Sequence, residues 1–159
     1  MTVLPRDENG EPIQVNAFTD GAGAVAKVTP TSGLPVTHVQ AAPTIYTISF
    51  DAAGTVSTAA TYVFLNGLVP VRLVVPSGWT SADITIQCSA DGATSWRDYY
   101  DSTGNVIVLK AGAGNRSIAL NPQDFLGLMH IRLRSGLPGS TVAQVNAVSL
   151  TLYAAPIGA

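Results

Sequence analysis

Chemistry in this chain would have to come from two histidines, one cysteine and a small set of carboxylates. A metal site needs His, Cys, Asp or Glu converging in sets of three or four. Neither His38 nor His130 has a neighbour at ligand spacing, so no metal is expected. Asp83, Asp91, Asp98, Asp101 and Asp124 carry the hard oxygens that calcium prefers. Each falls in or beside a turn, where an Asp side chain bonds its own backbone, and that local role is the expected one. A nucleophile would need a Ser or Cys with a positioned base, yet there is no G-x-S-x-G elbow and His130 stands beside Arg132. Asp98 and Asp101 are spaced as a glycosidase carboxylate pair could be, but they mark the end of a hairpin and a turn. Gly112-Ala113-Gly114 lies between strand-like runs rather than ahead of a helix, which makes it a hairpin turn and not a phosphate loop. The expectation is a non-enzyme with no catalytic residues and no cofactor.

Aromatic rings remain: Trp79, Trp96, Tyr99 and Tyr100. On a sheet surface such rings stack against sugars or partner side chains; between sheets they fill a core. Trp96 is expected beneath a turn in the core. Trp79, in a loop, is the candidate for glycan or partner contact, together with Tyr99 and Tyr100.

The elements that would position these residues are strands. Ile84, Ile86 and Cys88 alternate with Thr85 and Gln87, the period of a half-buried strand. Cys88, on the apolar parity, is expected to be a small buried residue rather than a nucleophile. Asp91-Gly92 then favours a tight hairpin, because glycine enters positive φ without a clash and Asp tolerates it. Residues 96–100 form the returning strand. Further strands are expected over residues 45–50, 55–61, 69–75, 106–109, 116–120, 129–134 and 147–153. In the strand over 129–134, Met, Ile and Leu alternate with His130, Arg132 and Arg134, so those three are expected to face outward. Asn121 and Pro122 suit the cap and first position of one helical turn, and Gly127 can end it. Turns every eight to twelve residues with no long helix indicate an all-β fold, an antiparallel β-sandwich (jelly-roll-like) of about eight strands over residues 44–159.

Residues 1–43 differ. Pro5, Pro12, Pro30, Pro35 and Pro43 interrupt every run, which predicts an extended N-terminal arm. Ile13, Val15, Phe18, Val25 and Val28 are apolar anchors in that arm with no core of their own, which suggests docking on a neighbouring subunit.

Composition narrows the partners. Only 11% of residues are charged, against roughly a quarter in an average domain, and burial in an assembly accounts for that scarcity. A net charge of -2 with Arg97, Arg116, Arg132 and Arg134 scattered argues against nucleic acid. No apolar run is long enough to span a membrane, and the polar stretch MTVLPRDENGEP lacks an apolar h-region, so no secretory signal is expected in it. A lone cysteine excludes an internal disulfide.

Two stretches carry a resemblance. SADGATSW resembles a hairpin of discoidin-like sandwiches and partly overlaps the Asp-box of sialidase propellers, as a single copy. Over a wider span, LVVPSGWTSADITIQCSADGATSWRDYYDSTGN, RSIALNPQDFLGLMHIRLRSG and VSLTL follow one another. That order resembles a group of tailed-bacteriophage structural proteins, whose pattern is a P-x-x-W turn, an S-x-D-G hairpin with a D-x-Y-D end, an ALDP-x-x-F-x-G turn and an R-L-R-S-G strand. Here these are Pro76 to Trp79, Ser89 to Asp101, Ala119 to Gly127 with Asn121 in place of Asp, and Arg132 to Gly136. PRDENGEPIQV is similar to segments that tether such proteins to the particle. The resemblance implies a capsid decoration (cement) or head-fibre protein of the virion, assembled in the host cytoplasm and binding the major capsid protein or other virion subunits, as a homotrimer. A neck, tail or baseplate component that grips a receptor glycan is the alternative it leaves open. A free-standing carbohydrate-binding module is a further one.

Overall fold

The computed structural model describes residues 42–156. The arm anchors Ile13, Val15, Phe18, Val25 and Val28, and His38, lie outside the described residues. Ten strands follow in order: β1 (Thr44–Phe50), β2 (Val63–Phe64), β3 (Leu68–Val75), β4 (Ile84–Ser89), β5 (Arg97–Asp98), β6 (Val108–Leu109), β7 (Arg116–Ala119), β8 (His130–Leu137), β9 (Ser140–Thr141) and β10 (Val148–Pro156). One sheet runs β1-β10-β3-β7 and the other β2-β8-β4-β5, with β6 added to β4 and β9 to β8. Every pairing is antiparallel. Without the two short additions, the eight remaining strands follow jelly-roll order, switching sheets at every connection except β4 to β5. The fold is an all-β antiparallel sandwich, as the turn spacing predicts.

Alternation within each strand builds the core. Ile48 and Phe50 of β1, Leu73 and Val75 of β3, and Leu150 and Leu152 of β10 are buried on the first sheet. Ile84 and Ile86 of β4 with Ile131 and Leu133 of β8 answer them from the second. Trp79 joins this cluster from the β3–β4 connection. Its ring meets Phe50 edge-on at 5.1 Å, and its Nε1 donates to the Ala82 carbonyl at 2.9 Å. Each such large ring contributes about 1.5–3 kcal/mol through the apolar area it takes out of water.

Several local expectations change. Residues 55–61 do not form a strand. Val56 makes one isolated bridge to Arg134, and Ala59–Thr61 is a single 3-10 turn whose Thr61 hydroxyl accepts from the Ser49 N–H at 3.0 Å. The returning strand shrinks to Arg97–Asp98, extended only by a Tyr100–Val106 bridge. Nor is the Asp-Gly hairpin tight: Cys88 pairs with Arg97, so residues 89–96 form a wide loop. Gly112-Ala113-Gly114 is a crossover rather than a hairpin turn, because β6 belongs to one sheet and β7 to the other. Glycine is required there: at Gly114 φ is 77°, and a Cβ would come within 2.3 Å of the Pro76 carbonyl. The Asn121 turn forms as expected, with Pro122–Phe125 in a 3-10 turn and the Asn121 side chain accepting from the Gln123 N–H.

Candidate functional site: an aromatic and cationic sheet face

Strand register decides which side chains meet on the outer face of the second sheet. Phe64 lies opposite His130, and His130 opposite Ser89. One step along, Arg132 lies opposite Gln87 and Gln87 opposite Asp98. The next row brings Arg134 opposite Thr85 and Thr85 opposite Val108. Because side chains alternate along a strand, Trp96 and Tyr100 share the parity of Asp98 and belong to this face. A sequence-level reading leaves His130, Arg132 and Arg134 as a solvated stripe. The structure instead makes them part of a laterally connected layer.

The polar half of that layer is a relay of planar groups. Arg132 Nε donates to Gln87 Oε1 at 2.7 Å, and Gln87 Nε2 donates to Asp98 Oδ1 at 2.7 Å. Arg134 donates to the same carboxylate oxygen and forms an ion pair with it. The hydrogen bond from Arg134 holds the Asp98 carboxyl below the usual carboxylate range, helped by Gln87 and opposed by partial burial. Burial pulls Arg132 below the usual guanidinium value, and the neighbouring charge of Arg134 adds to this. Two guanidinium groups therefore share one carboxylate. Arg134 is 8% exposed, and its NH1 nitrogen is buried without a hydrogen-bond partner.

The aromatic half holds this relay in place. The Arg132 guanidinium lies over the Trp96 ring, 4.6 Å from its centroid, a cation–π contact. Tyr62 approaches Trp96 edge-on at 6.0 Å and His130 at 5.5 Å. His130 stacks on Phe64 at 4.7 Å, and its Nδ1 is buried without a partner. Gly92 keeps the loop over residues 89–96 close to this imidazole, since a Cβ there would sit 2.8 Å from the His130 ring. Beside the face lies a mostly apolar cleft of about 220 Å³ lined by Cys88, Ser89, Ala90, Gly127, Leu128 and Met129. Tyr62, Phe64, Leu126 and Met129 stand 41–51% exposed, unusually open for such large apolar groups.

The expected contact residues are placed differently from one another. Trp79 is 3% exposed and lies in the core, so it cannot present a ring face to a glycan or partner. Tyr99 is half-buried against the core cluster, where burial raises its phenol above the ordinary value. Tyr100 is 47% exposed on the outer face. Trp96, expected in the core, is instead half-buried beneath Arg132. The two tryptophans thus exchange their expected roles. Cys88 is only partly buried and lines the cleft, and desolvation raises its thiol above the ordinary value.

The remaining acids serve the frame. Asp91 accepts from the Ser89 hydroxyl at 2.6 Å and from the Ala93 and Thr94 N–H groups, which holds it far below the usual range. Asp101 accepts from the Asn105 and Thr103 N–H groups and is likewise lowered. Asp83 pairs with Lys110, and Asp124 accepts from Asn121 Nδ2. Among the described residues no three His, Cys, Asp or Glu side chains converge, and no helix is long and apolar enough to cross a membrane.

Sequence reasoning missed Tyr62, Phe64, Gln87, Trp96 and Arg132 as one group. The parity of Trp96, Asp98 and Tyr100 was available as a signal; their cross-strand partners were not. No family model, curated protein or solved structure matches the chain.

Proposed function

We propose that the chain is a non-enzymatic structural subunit of a tailed-phage particle, a decoration protein that binds the major capsid protein and stabilises the head. The observation that carries the binding role is the surface of the second sheet. Its large apolar side chains stand open beside a cleft, while the acids around them are engaged in local bonds. Such a surface suits burial against another protein. The ordered motifs from Pro76 to Gly136 supply the phage assignment, and jelly rolls recur in capsid and lectin domains, an analogy of fold only. By binding the assembled shell and not free capsid subunits, the protein would shift the equilibrium toward the shell. A trimer with its arms laid across neighbouring subunits fits the scarcity of charge and the apolar anchors of residues 1–43. The glycan-gripping alternative loses support, because Trp79 is in the core and Tyr99 packs against it.

Co-sedimentation with heads assembled without this protein tests the reading. The full chain is expected to saturate the shell at a fixed copy number, and a chain lacking residues 1–43 to bind at least tenfold more weakly. Equal binding by the shortened chain would remove the arm from the account. Absence of binding by the full chain would remove the decoration role.

A further inference from the structure

We infer that the free edge of β1 receives one more strand, residues 13–18 of a neighbouring copy's arm. The choice of a neighbouring copy as donor rests on the assembly proposed above. The choice of edge and segment rests on hydrogen-bonding groups and on sequence.

β1 ends the first sheet, with β10 on one side and no strand on the other. Ser49 turns its backbone toward that open side: its N–H donates to Thr61 Oγ1 at 3.0 Å, and its carbonyl accepts from the Thr58 N–H at 2.8 Å. The Ser49 and Ser149 hydroxyls meet at 2.9 Å, as side chains do across a pair that exchanges no backbone bonds. Backbone direction alternates along a strand, so Thr47 and Ile45 turn their N–H and carbonyl groups the same way as Ser49. Among the described residues nothing bonds them there. The open window is bounded at one end by the 3-10 turn against Ser49 and at the other by Pro43, which has no N–H.

An exposed edge normally carries a charge, a proline, a bulge or very few residues, and these keep other chains from pairing with it. The remaining ends of the two sheets follow that rule: β2 and β5 have two residues each, and β7 begins with Arg116. β1 has seven residues, TIYTISF, with no charge and no proline, and it pairs with β10 in unbroken register. Its Ile45 side chain is 60% exposed. The Tyr46 hydroxyl donates to the Phe64 carbonyl at 3.1 Å, which holds this part of the edge in place. A preformed and unprotected edge suits the addition of a strand.

The arm supplies a segment that matches. Residues 13–19, IQVNAFT, are free of charge, proline and glycine, and Ile13 and Val15 stand two apart as Ile45 and Thr47 do. Laid beside those residues they form β-branched cross-strand pairs. Residues 20–43 give the segment a reach of up to about 80 Å when fully extended, beyond the width of one sandwich. Residues 36–42 are also uncharged, but Pro43 ties them to their own sandwich, so they reach a neighbour's edge only where two sandwiches touch.

The test is residue-resolved hydrogen exchange, with mass from light scattering, on the full chain without heads. In the assembled chain the Ile45 and Thr47 amides are expected to exchange about tenfold or more slowly than after dilution to single copies. Val15→Pro removes a donor and breaks the added strand, so it should free both amides at every concentration. Tyr46 and Ile48, which turn toward β10, stay slow throughout and report that the fold is intact. Fast exchange at Ile45 and Thr47 in the assembled chain, or a chain that never assembles, would overturn the inference. Slow exchange that survives dilution to single copies would overturn the neighbouring donor in favour of the chain's own arm. Slow exchange in the Val15→Pro assembly would overturn residues 13–18 as the strand, in favour of β1 pairing with a second β1. No head enters these measurements, so failure of this site and failure of the decoration role are told apart.

Discussion

The two tryptophans show what a single residue contributes and why its neighbours decide. Trp79 is enclosed between Phe50 and the backbone of its own turn, with its N–H satisfied. Trp96 lies on the sheet surface as a platform for Arg132. Trp79→Ala should therefore cost about 3–5 kcal/mol, the usual range for an emptied aromatic core site. Trp96→Ala should cost about 1 kcal/mol, an area term plus an exposed cation–π contact. Urea unfolding of the two variants checks the order, and equal losses would place Trp96 in the core after all. The sequence carried half of this distinction. Trp96 shares the parity of Asp98, which marks an outward face, whereas nothing near Trp79 announces that Phe50 would close over it.

At the scale of elements, β4 and β8 give the clearest account of legibility. Their apolar parity was readable, and Ile84, Ile86, Ile131 and Leu133 are all buried as it requires. The other parity was not: Thr85 and Gln87 of β4 are buried too, between neighbours brought by register from β5, β6 and β8. Periodicity reports one strand at a time: residues 55–61 alternate as a strand would, but only the stretch around Val56 bonds to β8 before Ala59–Thr61 turns as a 3-10 helix. The Gln87–Asp98–Arg134 connection is the element-scale feature with a measurable cost. Asp98→Asn leaves the buried Arg134 without its carboxylate and should lose about 2 kcal/mol or more in denaturant melts. An unchanged midpoint would show the ion pair to be inert.

Acidity tests the same connection with the wild-type chain. The folded state holds Asp91, Asp98 and Asp101 below the ordinary carboxylate value, so at low pH the unfolded chain takes up protons first. Their stabilising contribution is complete above the unfolded value of about 3.9 and is lost as pH falls through the lowered folded values. The melting temperature should be flat from about pH 7 to about pH 5 on these groups and fall progressively below about pH 4. A melting temperature at pH 3 equal to that at pH 7 would contradict the hydrogen bonding assigned to the three acids.

For the whole molecule, the all-β class was legible because turns punctuate the chain at regular intervals, whereas the two-residue strands β2 and β9 carry too few residues to show a period. The jelly-roll order was not, since β1 with β10 and β3 with β7 are long-range pairings that no local pattern encodes. The sandwich supplies a rigid frame on which one sheet face is left aromatic, cationic and partly apolar, and the scarcity of charge elsewhere suits a protein that works in an assembly. On this account the chain is a passive component whose activity is adhesion to a shell. Labelling the protein on intact particles and locating the label by electron cryo-microscopy tests that claim most directly. The account predicts label at regularly spaced positions over the head shell. Label confined to the tail or its tip, or none on the particle, would contradict it.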